Sequence, residues 1–171
     1  DNTPSNFDYG KVESNKYVNS YFGMEMDVPA EWFVQDQETL DNLTKVGKDM
    51  IAGDDENMQA VIKASEVNTA NLLAVYQHEY GTPVAFNANF ILVAENLKKT
   101  PGIRSGRDYL THARRLLEQS QFKYDHLDEE FEKEVVGGAE FYKMKADVSF
   151  AGVDIHQVYY STILKDFSFN V

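Results

Sequence analysis

Cysteine is absent from the 171-residue chain, which excludes disulfides, thiolate metal sites and a cysteine nucleophile. Basic residues are the minority charge: 16 Lys and Arg stand against 28 Asp and Glu, a formal charge of −12. Such a surface repels phosphate backbones, so nucleic acid is not an expected partner, and no Lys/Arg cluster of the kind that reads anionic lipid occurs. Long apolar runs are missing too. The longest, such as Phe90 to Ala94, fall far short of the ~20 residues that span a bilayer, so no transmembrane segment is expected.

What the chain does have is apolar and aromatic substance. Hydrophobic residues make up 43%, with ten Tyr and eleven Phe, enough to build the core of one domain of ordinary size. Residues 1–15 are rich in Asn, Asp, Ser and Gly and read as a flexible polar leader. Residues 16–171 read as a single α+β domain.

Periodicity divides the domain into elements. Alternation over Tyr17–Val28, punctuated by Gly23, predicts a β-hairpin closing at Pro29, after which Trp32 covers a core edge. Leu40, Leu43, Val46, Met50 and Ile51 recur at spacings of three and four behind Asp36, predicting a capped amphipathic helix. Asp54-Asp55-Glu56 reads as the acidic start of a second helix. A strand over Asn71–Glu79, a turn at Tyr80–Pro83 and a strand carrying Val84, Phe86, Ala88, Phe90 and Leu92 predict an antiparallel hairpin. Ser105-x-x-Asp108 is a capping box opening a helix with the stripe Tyr109, Ala113, Leu116 and Leu117. Four strands follow: 122–127, 131–136, 140–150 and 153–164, with turns at Gly137-Gly138 and Ala151-Gly152. Phe167–Val171 reads as one more.

The run Tyr17-Val-Asn-Ser-Tyr-Phe-Gly-Met-Glu-Met-Asp-Val-Pro-Ala-Glu-Trp32 resembles the opening of PsbP/Mog1-like domains: Tyr-x-Asn, Phe-Gly, apolar alternation, then Pro-x-x-Trp. The order of later elements resembles that fold and the Firmicutes surface lipoproteins built on it. The resemblance implies a twisted antiparallel β-sheet with helices packed on both faces, an α/β/α sandwich, with a closing helix after the last strand. It implies binding rather than a shared catalytic apparatus, and a leader acting as spacer behind a lipidated cysteine upstream of residue 1.

The polar and titratable residues fit no catalytic, metal or phosphate-binding motif. His78, His112, His126 and His156 lack metal-motif spacing and read as structural, although a fold could bring His78 and His156 together. Asp125-His126 with Ser149 or Ser161 lacks the Gly-x-Ser-x-Gly elbow of a hydrolase. Asp125, Asp128, Glu129, Glu130, Glu132 and Glu134 read as a hydrated turn and solvent-facing strand rather than a calcium or glycosidase site. Gly137-Gly138 lacks a following helix and Lys-Ser/Thr, so no phosphate loop exists; no catalytic residue, cofactor or metal is expected. Partner contact is expected at Tyr76, Tyr159 and Tyr160, because Tyr joins large contact area to a polar tip, and at Lys98, Lys99 and Arg104, a small basic patch. The leading expectation is an exported, membrane-tethered, non-enzymatic binding module at the cell surface, with a protein or small-molecule ligand. A cytoplasmic adaptor or secretion chaperone, and a hydrolase using paired carboxylates, stay open beside it.

Overall fold

Alternating apolar residues carry most of the chain into two antiparallel sheets, and three helices close over the larger one. The computed structural model describes residues 3–171; residues 1 and 2 of the expected leader lie outside the described residues. The strands are β1 (Lys11–Glu13), β2 (Lys16–Asn19), β3 (Met24–Asp27), β4 (Phe33–Val34), β5 (Thr69–Tyr76), β6 (Asn89–Asn96), β7 (Tyr124–Leu127), β8 (Glu132–Val136), β9 (Ala139–Phe150), β10 (Val153–Leu164) and β11 (Phe167–Asn170). The helices are α1 (Gln37–Ala52), α2 (Glu56–Glu66) and α3 (Gly106–Gln119). The small sheet has the order β1-β2-β3, and the large one β4-β5-β6-β11-β10-β9-β7. β7 and β8 share one edge of β9 end to end, pairing with its later and earlier halves.

Local chemistry explains the boundaries. Asp36 caps α1 by accepting from the Thr39 N–H, and Asp55 caps α2 by accepting from Asn57 and Met58. Ser105 and Asp108 form the predicted reciprocal box on α3: the Asp108 N–H donates to Ser105 Oγ, and Ser105 Oγ donates to Asp108 Oδ2 at 2.9 Å. Four hairpins turn on two residues that both have positive φ: Ser14-Asn15, Gly137-Gly138, Ala151-Gly152 and Lys165-Asp166. That backbone matches the twist of the flanking strands, which is why such tight connections hold their register.

The α+β class with a large antiparallel sheet is as expected. The placement of helices is not: α1, α2 and α3 all lie on one face, where Thr44, Lys48, Ile62 and Tyr109 meet Thr69, Val93 and Glu95 of the sheet. The other face presents Leu72, Leu92, Phe141, Phe167 and Phe169 and is covered by the small sheet through Tyr17, Val12, Met24 and Met26. Two sheets and one helical layer result, because strands β1–β3 bring enough apolar surface to do what a second helical layer would do.

The flexible leader is a second correction. Phe7 packs on Phe167 at 5.3 Å, Tyr21 at 4.9 Å and Phe22 at 5.9 Å between ring centres. The Asp8 carboxylate accepts from Gly10 N–H and from Ser20 N–H and Oγ. The Tyr17 hydroxyl, fully buried, donates to Tyr9 O at 2.8 Å. Residues 7–10 are thus packed and hydrogen-bonded around a hairpin, with the Asp8 carboxylate and the Tyr9 carbonyl as acceptors.

Two smaller corrections concern faces. In α1, Leu40 is buried, but Val46 is 56% exposed and Met50 is exposed as well, since two stripes three and four apart diverge over four turns. Residues 84–88 do not extend β6, and Val84 and Phe86 stand exposed in a long connection. Among the described residues no helix is long and apolar enough to cross a membrane.

Candidate functional site

The expected partner residues do not assemble. Tyr76 sits opposite Asn89, at one end of the β5–β6 pair, whereas Lys98, Lys99 and Arg104 follow Asn96 at the other. Seven residues of strand separate the two ends, about 24 Å at ~3.4 Å per residue. Tyr159 and Tyr160 project to opposite faces: Tyr159 packs with Tyr124 and Met144 under α3, and Tyr160 with Phe141 and Phe169 under the small sheet. Their hydroxyls donate to Gln157 Oε1 and Glu134 Oε2. Both bridge core and rim. Arg104 is spent locally, its backbone N–H on Asp108 and its side chain on Pro101 O.

The carboxylate- and histidine-bearing strands also divide among themselves. Ser149 Oγ lies 2.9 Å from Asp125 and 2.8 Å from Asp154, while His126 pairs with Asp128 and His156 with Asp147, at 2.8 and 2.7 Å. No serine–histidine relay forms from these groups. Lys143 bonds Glu132 and Glu134 at 3.0 and 3.1 Å, so one ammonium is shared by two carboxylates and offsets part of their charge. His78 and His156 stay apart because β6 and β11 lie between β5 and β10. Among the described residues no group of three or more His, Asp or Glu is placed to hold a metal.

A different set of residues converges between the helices and the sheet. β5 carries a bulge between Asn71 and Leu73, which turns Asn71 toward α1 and lets Leu72 and Leu73 both reach the apolar core. Asn71 Nδ2 donates to Asp41 Oδ1 at 2.8 Å, and Gln37 Nε2 donates to Asp41 Oδ1 and to the Asn71 carbonyl. Asn71 Oδ1 is buried and has no hydrogen-bond partner. These groups stand at the mouth of a crevice of about 520 Å³, which Tyr9, Glu66 and Thr69 also line. A neighbouring hollow of about 240 Å³, lined by Lys45 and Lys48, shares Asp41, Glu66, Thr69 and Asn71 with it, and shares Thr44, Lys48 and Thr69 with an inner chamber of about 220 Å³.

The inner chamber is mostly aliphatic, with Ile51, Ile62, Val93 and Leu116, yet it holds Lys48, Glu95, Tyr109 and His112. Glu95 points there because β6 alternates: Leu92 and Ala94 enter the aromatic core, so Val93 and Glu95 face the helices. Tyr109, from the first turns of α3, donates its hydroxyl to Glu95 Oε2 at 3.1 Å. Burial raises the Glu95 pKa above its ordinary value, against the lowering effects of Tyr109, His112, Ser65 and Lys48. Burial likewise lowers the Lys48 pKa, against the attraction of Glu66 and Glu95. Tyr109 is driven strongly upward, by burial first and the Glu95 charge second.

No family model, curated protein or solved structure matches this chain. The crevice therefore has to be read from its own chemistry. An acid and an amine, each pushed toward neutrality by an apolar setting, share one narrow chamber with a hydroxyl and an imidazole. Sequence reasoning misses all four as a site. Lys48 and His112 occupy helix positions whose polarity reads as solvent-facing, and Tyr109 belongs to the predicted buried stripe. A carboxylate at the end of the apolar run Phe90–Ala94 is the one available signal: Glu95 shares a side of β6 with Ile91 and Val93, so the face opposite Leu92 and Ala94 is apolar up to that carboxylate.

Proposed function

We propose that this protein is a binding module whose ligand is a small molecule held in the crevice between α1, α2, α3 and the β5–β6 pair. The observation that carries the reading is Glu95, a half-buried carboxyl set in an aliphatic chamber with Tyr109 as its hydroxyl partner. Keeping that group in place costs stability, and few polar groups in an apolar concavity are what ligand sites use to orient their occupants. Catalysis by paired carboxylates is the weaker account, since the groups around Glu95 are an amine, hydroxyls and an imidazole rather than a second acid.

A protein-observed NMR screen of small-molecule fragments on the intact chain tests this. Hits are expected to move the amides of Thr69, Asn71, Glu95 and Tyr109. Hits that instead gather at the Lys98–Arg104 loop, or at Tyr76, would defeat it. An exported, tethered location belongs to the same proposal and rests on the resemblance of residues 17–32 to surface-lipoprotein domains. Protease shaving of intact cells that leaves the protein untouched would count against that part.

A further inference from the structure

The chamber's two charges face the same space without meeting. Lys48 and Glu95 both line it, and no ion pair within 4.0 Å joins them, although Glu95 accepts from Tyr109 and Lys48 sits close enough to feel its charge. Apolar walls normally drive such a pair together, because two separated charges in a low-dielectric site each lose hydration without compensation. Ile51, Ile62 and Leu116 line the same chamber.

We propose that the inner chamber binds a small zwitterion with an aliphatic side chain, of the α-amino acid class, its ammonium on Glu95 and its carboxylate on Lys48. This rests on the reading of the crevice as a small-molecule site. Size supports the class. Scaling from benzene in an apolar cavity of about 150 Å³, a chamber of about 220 Å³ holds about nine non-hydrogen atoms, the size of leucine. Charge supports it as well: Glu66, which also attracts Lys48, does not line the inner chamber, so inside it an occupant carrying only an ammonium offers Lys48 no partner, and one carrying only a carboxylate offers Glu95 none. A zwitterion supplies both partners while its branched side chain meets the aliphatic wall. Tyr109 orients Glu95 for this role and is a positioning residue. His112, at the same chamber, adds polarity on the α3 side.

Titration calorimetry on the full chain with L-leucine, 3-methylbutylamine and 4-methylpentanoate is the test. Leucine is expected to bind at least about tenfold more tightly than either half-analogue, and Glu95→Gln and Lys48→Met each to weaken leucine by about tenfold or more. Circular dichroism on both variants separates loss of binding from loss of fold. A half-analogue that binds as well as leucine, or an unchanged leucine affinity in Lys48→Met, overturns the zwitterion assignment while leaving the crevice as a small-molecule site. If none of the three compounds binds and the fragment screen also leaves the crevice amides unmoved, the site itself falls.

Discussion

Gly106 shows how tightly single positions are held. It opens α3 directly against the backbone of β10, and a Cβ there would run into the Ser161 carbonyl. Gly106→Ala should destabilise the protein by about 1–3 kcal/mol, the usual range for overpacking, measured by urea denaturation. Gly47, inside α1, has open space where a Cβ would point, so Gly47→Ala should instead stabilise by roughly 0.5–1 kcal/mol. Equal signs for the two variants would sink the argument from space. Tyr17 is a second test. Its buried hydroxyl donates to Tyr9 O and accepts from Asn19 Nδ2, tying the first residues to the small sheet. Tyr17→Phe should cost about 1–3 kcal/mol, since it strands a buried acceptor and donor, and should raise amide exchange at residues 7–13. A rigid N-terminal segment in that variant would show that aromatic packing of Phe7 alone suffices.

Elements differ in how readable they are from sequence. α3 is nearly complete in its own residues: a capping box, an amphipathic stripe and a polar face. Ser105→Ala should lower stability by about 1 kcal/mol in the same denaturation assay, and less than a few tenths would mean the N-terminus is held by packing alone. Even so, Leu110, which is buried, lies outside the expected stripe, because α3 meets β9 and β10 on one side and α2 on another. α1 departs in the opposite sense, with Val46 and Met50 left outside. β8 is an edge strand whose Glu132, Lys133 and Glu134 keep it from pairing further, so its alternation carries charge rather than a hidden site. The basic loop 98–104 and the strand tyrosines are legible as unusual residues, but not their positions relative to one another.

At the scale of the whole molecule, pH separates fold from site. Asp8, Asp36 and Asp108 are held below their ordinary value near 3.8 by Ser20, by the Thr39 N–H and by the Arg104 N–H respectively. Their folded forms release protons more readily than the unfolded chain does, so their contribution is present above about pH 3.8 and is lost as pH falls through their folded values. Glu95 works in the other direction. Its folded pKa is raised above 4.5, the native state binds the proton more tightly, and stability declines as pH rises from 4.5 through the folded value. Glu95→Gln should remove that decline and be at least as stable as the parent at neutral pH, by thermal unfolding at pH 5 and 7. A variant with an unchanged pH dependence would show that Glu95 is well solvated and weaken the case for the crevice. His156, raised by its bond to Asp147, adds stability below pH 6.5 that is lost above its folded value, and Glu95→Gln leaves that contribution in place.

By itself the sequence determined the class, the strands of the C-terminal meander, the caps of all three helices and the exclusion of thiol chemistry. These follow from periods of two and 3.6 and from side chains bonding a backbone three residues away, interactions the chain makes with its near neighbours. The tertiary structure decided which face the helices share, the packing of residues 7–13 on and into the small sheet, and the placing of Lys48, Glu95 and Tyr109 around one chamber. Those depend on strand order and on one bulge in β5, where residues tens of positions apart are set side by side, and no local pattern encodes that distance.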